Sequence, residues 1–194
     1  MSRLGAFLAA LALAGCAFSS ERAFFAVEEG AAPIAHGALY DWRPSDETDE
    51  DIVVRFKREG GWYQLEHVGD SGERPIRVLF VDVPETPQND YIAQVVFDPE
   101  SQSGFVYAFL WPVGEGGFRV FVQPTAFDGS GELHEVEGYC TPGSYGACAF
   151  NRAEDLRGYY RNVLYPAFSS GHTPARYLNL TPVEAADDAG RKPQ

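Results

Sequence analysis

The stretch GFVYAFLWPVGEGGFRVFVQ, residues 104–123, decides the fold. Two runs, GFVYAFLW and GFRVFVQ, flank a Gly-rich turn from Pro112 to Gly117, and both are apolar at odd and even positions alike. A strand points successive side chains to opposite faces, so a run without a polar face must be covered on both sides. These two runs are therefore expected to be the most buried strands of a β domain.

Working outward, β signals recur at short spacing. HGALYDW (36–42), DIVVRFK (51–57), WYQLEHV (62–68), IRVLFVDV (76–83) and YIAQVVF (91–97) precede the opening stretch. In DIVVRFK the residues Ile52, Val54 and Phe56 share one face, and Gly60 and Gly61 supply a hairpin turn into WYQLEHV. Such a series predicts a mainly β fold: an antiparallel meander closed into a small barrel or sandwich, lipocalin-like at most, so that no edge is left bare. The persuasive helix is NRAEDLRGYYRNVL, with Asn151 as N-cap, Glu154 and Asp155 at the positive end of the dipole, and an apolar stripe of Leu156, Tyr159, Tyr160, Val163 and Leu164. Pro166 is expected to end it, and ARYLNL (175–180) to return as a last strand.

The N-terminus carries an address. MSRLGAFLAALALAGCAFSS has one positive charge at Arg3, an apolar run to Ala14 and small residues up to Cys16, the pattern of a secretory signal peptide and too short for a membrane span. Its Leu13-Ala14-Gly15-Cys16 resembles the lipobox of bacterial lipoproteins. The resemblance implies cleavage before Cys16 and acylation of that residue, with Ala17 in place of a retaining Asp implying sorting to the outer membrane. Acyl chains would then anchor a protein that does not span the bilayer. The chain thus divides into a signal peptide (1–15), a lipidated tether with an early packing segment around Phe24 and Phe25 (16–35), a single β-rich domain (36–183) and a frayed tail (184–194).

Composition narrows the function. A formal charge of -13 would repel nucleic-acid phosphates and anionic headgroups, so no nucleic-acid partner is expected and membrane attachment falls to the lipid. The 14 Phe, 10 Tyr and 3 Trp favour a folded core over disorder. The acidic run SDETDED (45–51) lacks the glycine and distal Glu of an EF-hand and reads as a solvated loop. His36, His67, His134 and His172 form no metal-binding spacing; His134 and Cys140 on one extended strand would stand about 20 Å apart. Ser169, Ser170 and His172 lie close in sequence but outside any nucleophile motif. No cofactor, no metal and no catalytic residues are expected.

Cys140 and Cys148, in CTPGSYGAC, are the two cysteines left once Cys16 is acylated. Outside the cytoplasm such a pair oxidises, so they are expected to form a disulfide that fixes the docking of the helix that follows. The aromatic strands leave two possibilities open. Trp62, Phe80, Tyr107, Phe109, Trp111, Phe118 and Phe121 either line a ligand cavity or fill the interior, and small barrels usually have filled interiors. The reading as a whole is a lipid-anchored lipoprotein of the bacterial envelope, most simply on the periplasmic side of the outer membrane. Its expected role is a non-enzymatic one, contact with an envelope protein or a structural part in the envelope; the alternatives are carriage of an apolar ligand in a lipocalin-like cavity and, further off, a periplasmic hydrolase.

Overall fold

The structure, a computed structural model, describes residues 18–45, 52–69, 76–84, 86, 89–97, 104–122, 138–142, 148–171 and 177–184. The expected signal peptide, Cys16, the acidic residues 46–51, His134, His172 and the C-terminal tail from 185 lie outside the described residues.

Strands β1 (Phe18–Ser20), β2 (Leu39–Pro44), β3 (Ile52–Glu59), β4 (Trp62–His67), β5 (Ile76–Asp82), β6 (Tyr91–Val96), β7 (Phe105–Val113), β8 (Gly117–Phe121), β9 (Thr141–Pro142), β10 (Cys148–Ala149) and β11 (Leu178–Val183) join in one sheet. From β2 to β8 each strand pairs antiparallel with the next, and β11 lies between β8 and β2. The pairing of β6 with β7 completes the circle, giving a closed barrel of eight strands with no bare edge within it. The β3–β4 turn places Gly60 at a φ of 61°, a left-handed conformation that glycine adopts without steric cost.

The alternation of side chains sorts the core into two clusters. Tyr40, Trp42, Val54, Phe56, Tyr63, Leu65, Val78 and Phe80 point into the barrel. Leu79, Val81, Ile92, Tyr107, Phe109 and Phe121 point outward, into a second apolar layer beneath the helical segment. This explains the doubly apolar stretch: β7 and β8 form the wall between the lumen and that layer. Phe109 stacks on Tyr160 with ring centroids 4.9 Å apart, and Phe121 stacks on Phe168 at 4.3 Å.

The helical segment comprises α1 (Ala153–Tyr159), a π-helical turn (Tyr160–Leu164) and α2 (Tyr165–Ser169). Two local expectations are corrected here. The N-cap is Arg152, not Asn151; it makes no side-chain capping bond, and its guanidinium instead holds Asp155 at 2.6 Å. Pro166 does not stop the helix. In the π turn the Tyr165 N–H reaches back to the Tyr160 carbonyl, and Pro166 falls in the first turn of the resumed α-helix, where a missing N–H costs least.

The segment expected to contain a tether is packed from Phe18 onward. Phe18 is fully buried, β1 pairs with the first half of β7 and with β10, and Phe25 and Ile34 are buried further along. Gln94, buried on the outer face of β6, stands in for a strand partner: its Oε1 accepts the Phe24 and Phe25 N–H groups at 2.8 and 3.1 Å, and its Nε2 donates to the Phe25 carbonyl.

Cys140 and Cys148 are disulfide-bonded. The bond ties β10 to the residue next to β9, and Cys148 lies opposite Phe18 of β1. Phe150, two residues on, donates its N–H to the Ser19 carbonyl and packs against Phe18 and Tyr159. The bridge therefore clasps the N-terminal strand as directly as it sets the start of the helix.

Candidate functional site

The site is the barrel interior, and its two halves differ. At the β7–β8 turn end large side chains pack together in the lumen. Ile34 plugs it, the Tyr63 hydroxyl donates to the Ile34 carbonyl, the Tyr40 hydroxyl donates to the Gly116 carbonyl at 2.9 Å, and Tyr91 meets Phe118 edge-on. Burial raises the pKa of Tyr63 and Tyr40 above the usual tyrosine value, so both remain neutral hydrogen-bond donors.

Towards the other end the inward side chains become small. Ala93 lies opposite Ala108 and Val95 opposite Val106 across the β6–β7 pairing, and Val120 and Val122 continue the wall. Here the side chains do not meet at the axis. They leave a cavity of about 50 Å³, lined by aliphatic and aromatic groups with Trp42, Phe56, Leu65 and Phe97 opposite the small residues. A hydrocarbon-walled space of this kind offers water few hydrogen-bond partners. Its volume is well below the roughly 300 Å³ or more of sites for drug-sized ligands, which restricts an occupant to something slender. The expectation of a filled interior does not hold for this half of the barrel.

One polar atom breaks the hydrocarbon lining. Trp42 lies on the cavity wall, 6% exposed, and its indole N–H has no acceptor among the described residues.

Of the aromatic residues singled out from the sequence, Phe80 lines the cavity and Phe118 belongs to the filled half of the lumen. Trp62, Tyr107, Phe109, Trp111 and Phe121 do not line it; all five lie on the outer face. Trp62 carries the Arg77 guanidinium over its ring at 4.7 Å. Trp111 packs edge-on against Phe168. Tyr107 stacks on Phe24, its hydroxyl lies 2.8 Å from Ser20 Oγ, and burial pushes its pKa up to about 12. The lumen residues passed over were small ones, Ala93 and Ala108 above all. In strands apolar on both faces nothing distinguishes the sides, yet the parity could have been carried across from β3 and β4, where Lys57, Gln64 and Glu66 mark the solvent face.

A second buried polar group lies outside the barrel. Asp90 is fully buried between β5 and the π turn, preceded by Asn89 with a φ of 52°, and neither carboxylate oxygen makes a well-formed hydrogen bond. Burial raises its pKa, with the nearby Tyr160 and Thr86 hydroxyls offsetting part of that rise. The Tyr160 hydroxyl is itself buried without a well-formed partner. Its pKa is raised by burial and then by the Asp90 charge.

His36 Nδ1 accepts the Arg58 N–H, and His67 Nδ1 is buried without a partner among the described residues. Among the described residues no three His, Cys, Asp or Glu side chains come together as a metal site. Comparison with family models, with curated proteins and with solved structures found no match.

Proposed function

We propose that the protein binds a slender apolar ligand in the barrel lumen, as a non-catalytic carrier or receptor anchored through Cys16 to a bacterial envelope membrane. The observation that carries this reading is the unfilled, hydrocarbon-walled half of an otherwise closely packed barrel. Interiors pack to crystal-like density, and a void among Ala93, Ala108, Val106 and Val120 forfeits contacts that one larger side chain would supply. Binding something there restores them. Contact with another protein is the weaker reading, because the large hydrophobic residues exposed among the described ones are Val27, Val68 and Val183, far apart in the chain.

The anchor fits this role. Cys16 precedes the buried Phe18 by two residues, at most about 7 Å of chain, so acylation would hold the domain against the bilayer without a long tether. A membrane is also the richest source of slender apolar molecules in an envelope.

Trp42 faces the lumen while Trp62 and Trp111 lie outside it, which gives a direct test. A soluble Cys16→Ser protein with Trp62→Phe and Trp111→Phe retains Trp42 as its one indole. Titration with a chain-brominated fatty ester is expected to quench that fluorescence saturably, at concentrations where free tryptophan is unaffected. Unquenched Trp42 at saturating ester would refute the lumen reading. The anchor is tested separately by intact mass of the protein extracted from membranes: diacylglyceryl and acyl groups on Cys16 are expected, and an unmodified Cys16 would refute it.

A further inference from the structure

Among the described residues the lumen holds three buried aromatic side chains with a polar group, Tyr40, Tyr63 and Trp42, and they are not treated alike. The hydroxyls of Tyr40 and Tyr63 each have a backbone carbonyl to donate to. The N–H of Trp42 has none among the described residues, although the residue is 6% exposed and lies on the wall of the cavity. Its strand neighbours offer nothing: Ile52 on β3 and Leu180 on β11 lie directly opposite, and Phe56, Leu65 and Val120 share the cavity wall with it.

A buried donor without an acceptor is costly, and native structures rarely retain one without a reason. Phenylalanine would supply the same apolar packing without the orphan N–H. Indole is accounted for if the acceptor arrives with the ligand. The walls also fix what kind of acceptor. Among the described residues no Lys or Arg lines the cavity, so an ionised carboxylate would be desolvated against these walls without a counter-charge. Arg43, the residue after Trp42, turns to the other face of β2 and pairs with Asp41 at 2.9 Å.

We propose that the cavity takes a single apolar chain bearing a neutral carbonyl oxygen, an ester or a ketone, and that Trp42 donates its indole N–H to that oxygen. This rests on the lumen reading above and adds the chemical class of the ligand and the residue that selects it. The hydrocarbon part of the ligand occupies the space beside Ala93 and Ala108, while the indole N–H fixes how deep the chain enters.

The test compares a medium-chain methyl ester, the alkane of equal heavy-atom count and the ionised free acid, each titrated calorimetrically into the soluble protein and its Trp42→Phe variant. The ester is expected to bind more tightly than the other two. Trp42→Phe should weaken the ester by about fivefold to tenfold, the scale of one neutral hydrogen bond, and leave the alkane unchanged. In the unsubstituted protein the Trp42 indole N–H proton resonance should move downfield with ester and not with alkane, a readout that needs no variant to fold. If ester and alkane both bind but Trp42→Phe affects them equally and the resonance stays in place, this inference fails while the lumen reading survives. If the free acid binds more tightly than the ester, the acceptor is charged and the proposed class is wrong. If none of the three binds, both readings fall together.

Discussion

Asp90 shows how one side chain can carry a pH dependence for the whole fold. Its carboxyl is buried where β5 and β6 meet the π turn, and burial raises its pKa above that of the unfolded chain. A group raised in this way contributes its full stability below the unfolded value of about 4 and loses it as pH rises through the folded value. Asp90→Asn removes the charge and keeps the shape. The variant is expected to match the parent in acid and to exceed it at neutral pH, by on the order of 1.4 kcal/mol for each unit by which the pKa is raised. Denaturant unfolding at a series of pH values checks this; parallel curves for parent and variant would show that Asp90 ionises without cost. No residue type or spacing in the sequence marks this aspartate, because its burial is created by Tyr160, distant in the chain.

At the scale of elements, the disulfide is the clearest case of a feature legible in sequence whose task was not. CTPGSYGAC has the glycines and proline that let two cysteines meet, and the bond is present. That β10 then runs parallel to β1 could not be read, because parallel pairing of segments so far apart leaves no local pattern. Replacing Cys140 and Cys148 with Ser should cost about 2.5 kcal/mol by loop-closure entropy. Hydrogen exchange should accelerate first in Ser19 and Phe150, whose backbones meet at β1, and leave the β3–β4 hairpin protected. Uniform acceleration across the barrel would instead mean that the clasp supports the whole fold. The helical segment teaches the same lesson in reverse. Its apolar stripe was legible from period alone, but its continuation past Pro166 depends on a π turn that brings Phe168 onto Phe121 and Trp111.

For the whole molecule the decisive quantity is the space left at the barrel axis. Ala108→Leu points a larger side chain into the cavity from β7, opposite Ala93. It is expected to abolish quenching of Trp42 by brominated ester while changing stability by no more than about 1 to 2 kcal/mol in either direction, since filling a void and slight overpacking nearly offset. Retained quenching in a folded Ala108→Leu protein would place the ligand elsewhere. Such a substitution would be an easy route to a tighter core, and the alanines are accounted for if the space has a use.

What the sequence by itself determined is whatever a local period can encode: the strands from β2 to β8, their antiparallel order, the turn at Gly60, the existence of a helix near residue 153 and the pairing of two cysteines. Alternation at a period of two and apolar stripes at 3.6 are written residue by residue, and a meander needs only neighbours to pair. Closure of the barrel by β11, inserted between β8 and β2, and the sides taken by Trp62, Tyr107, Phe109, Trp111 and Phe121 were decided only in three dimensions. In β7 both faces are apolar, so the chain leaves open which side is lumen. The helix covers one face, and its aromatic rings need large partners there, which leaves the small residues to face the axis. The cavity and the unpaired N–H of Trp42 follow from that choice, because a void is a property of what several strands fail to fill together and no single stretch of chain records it.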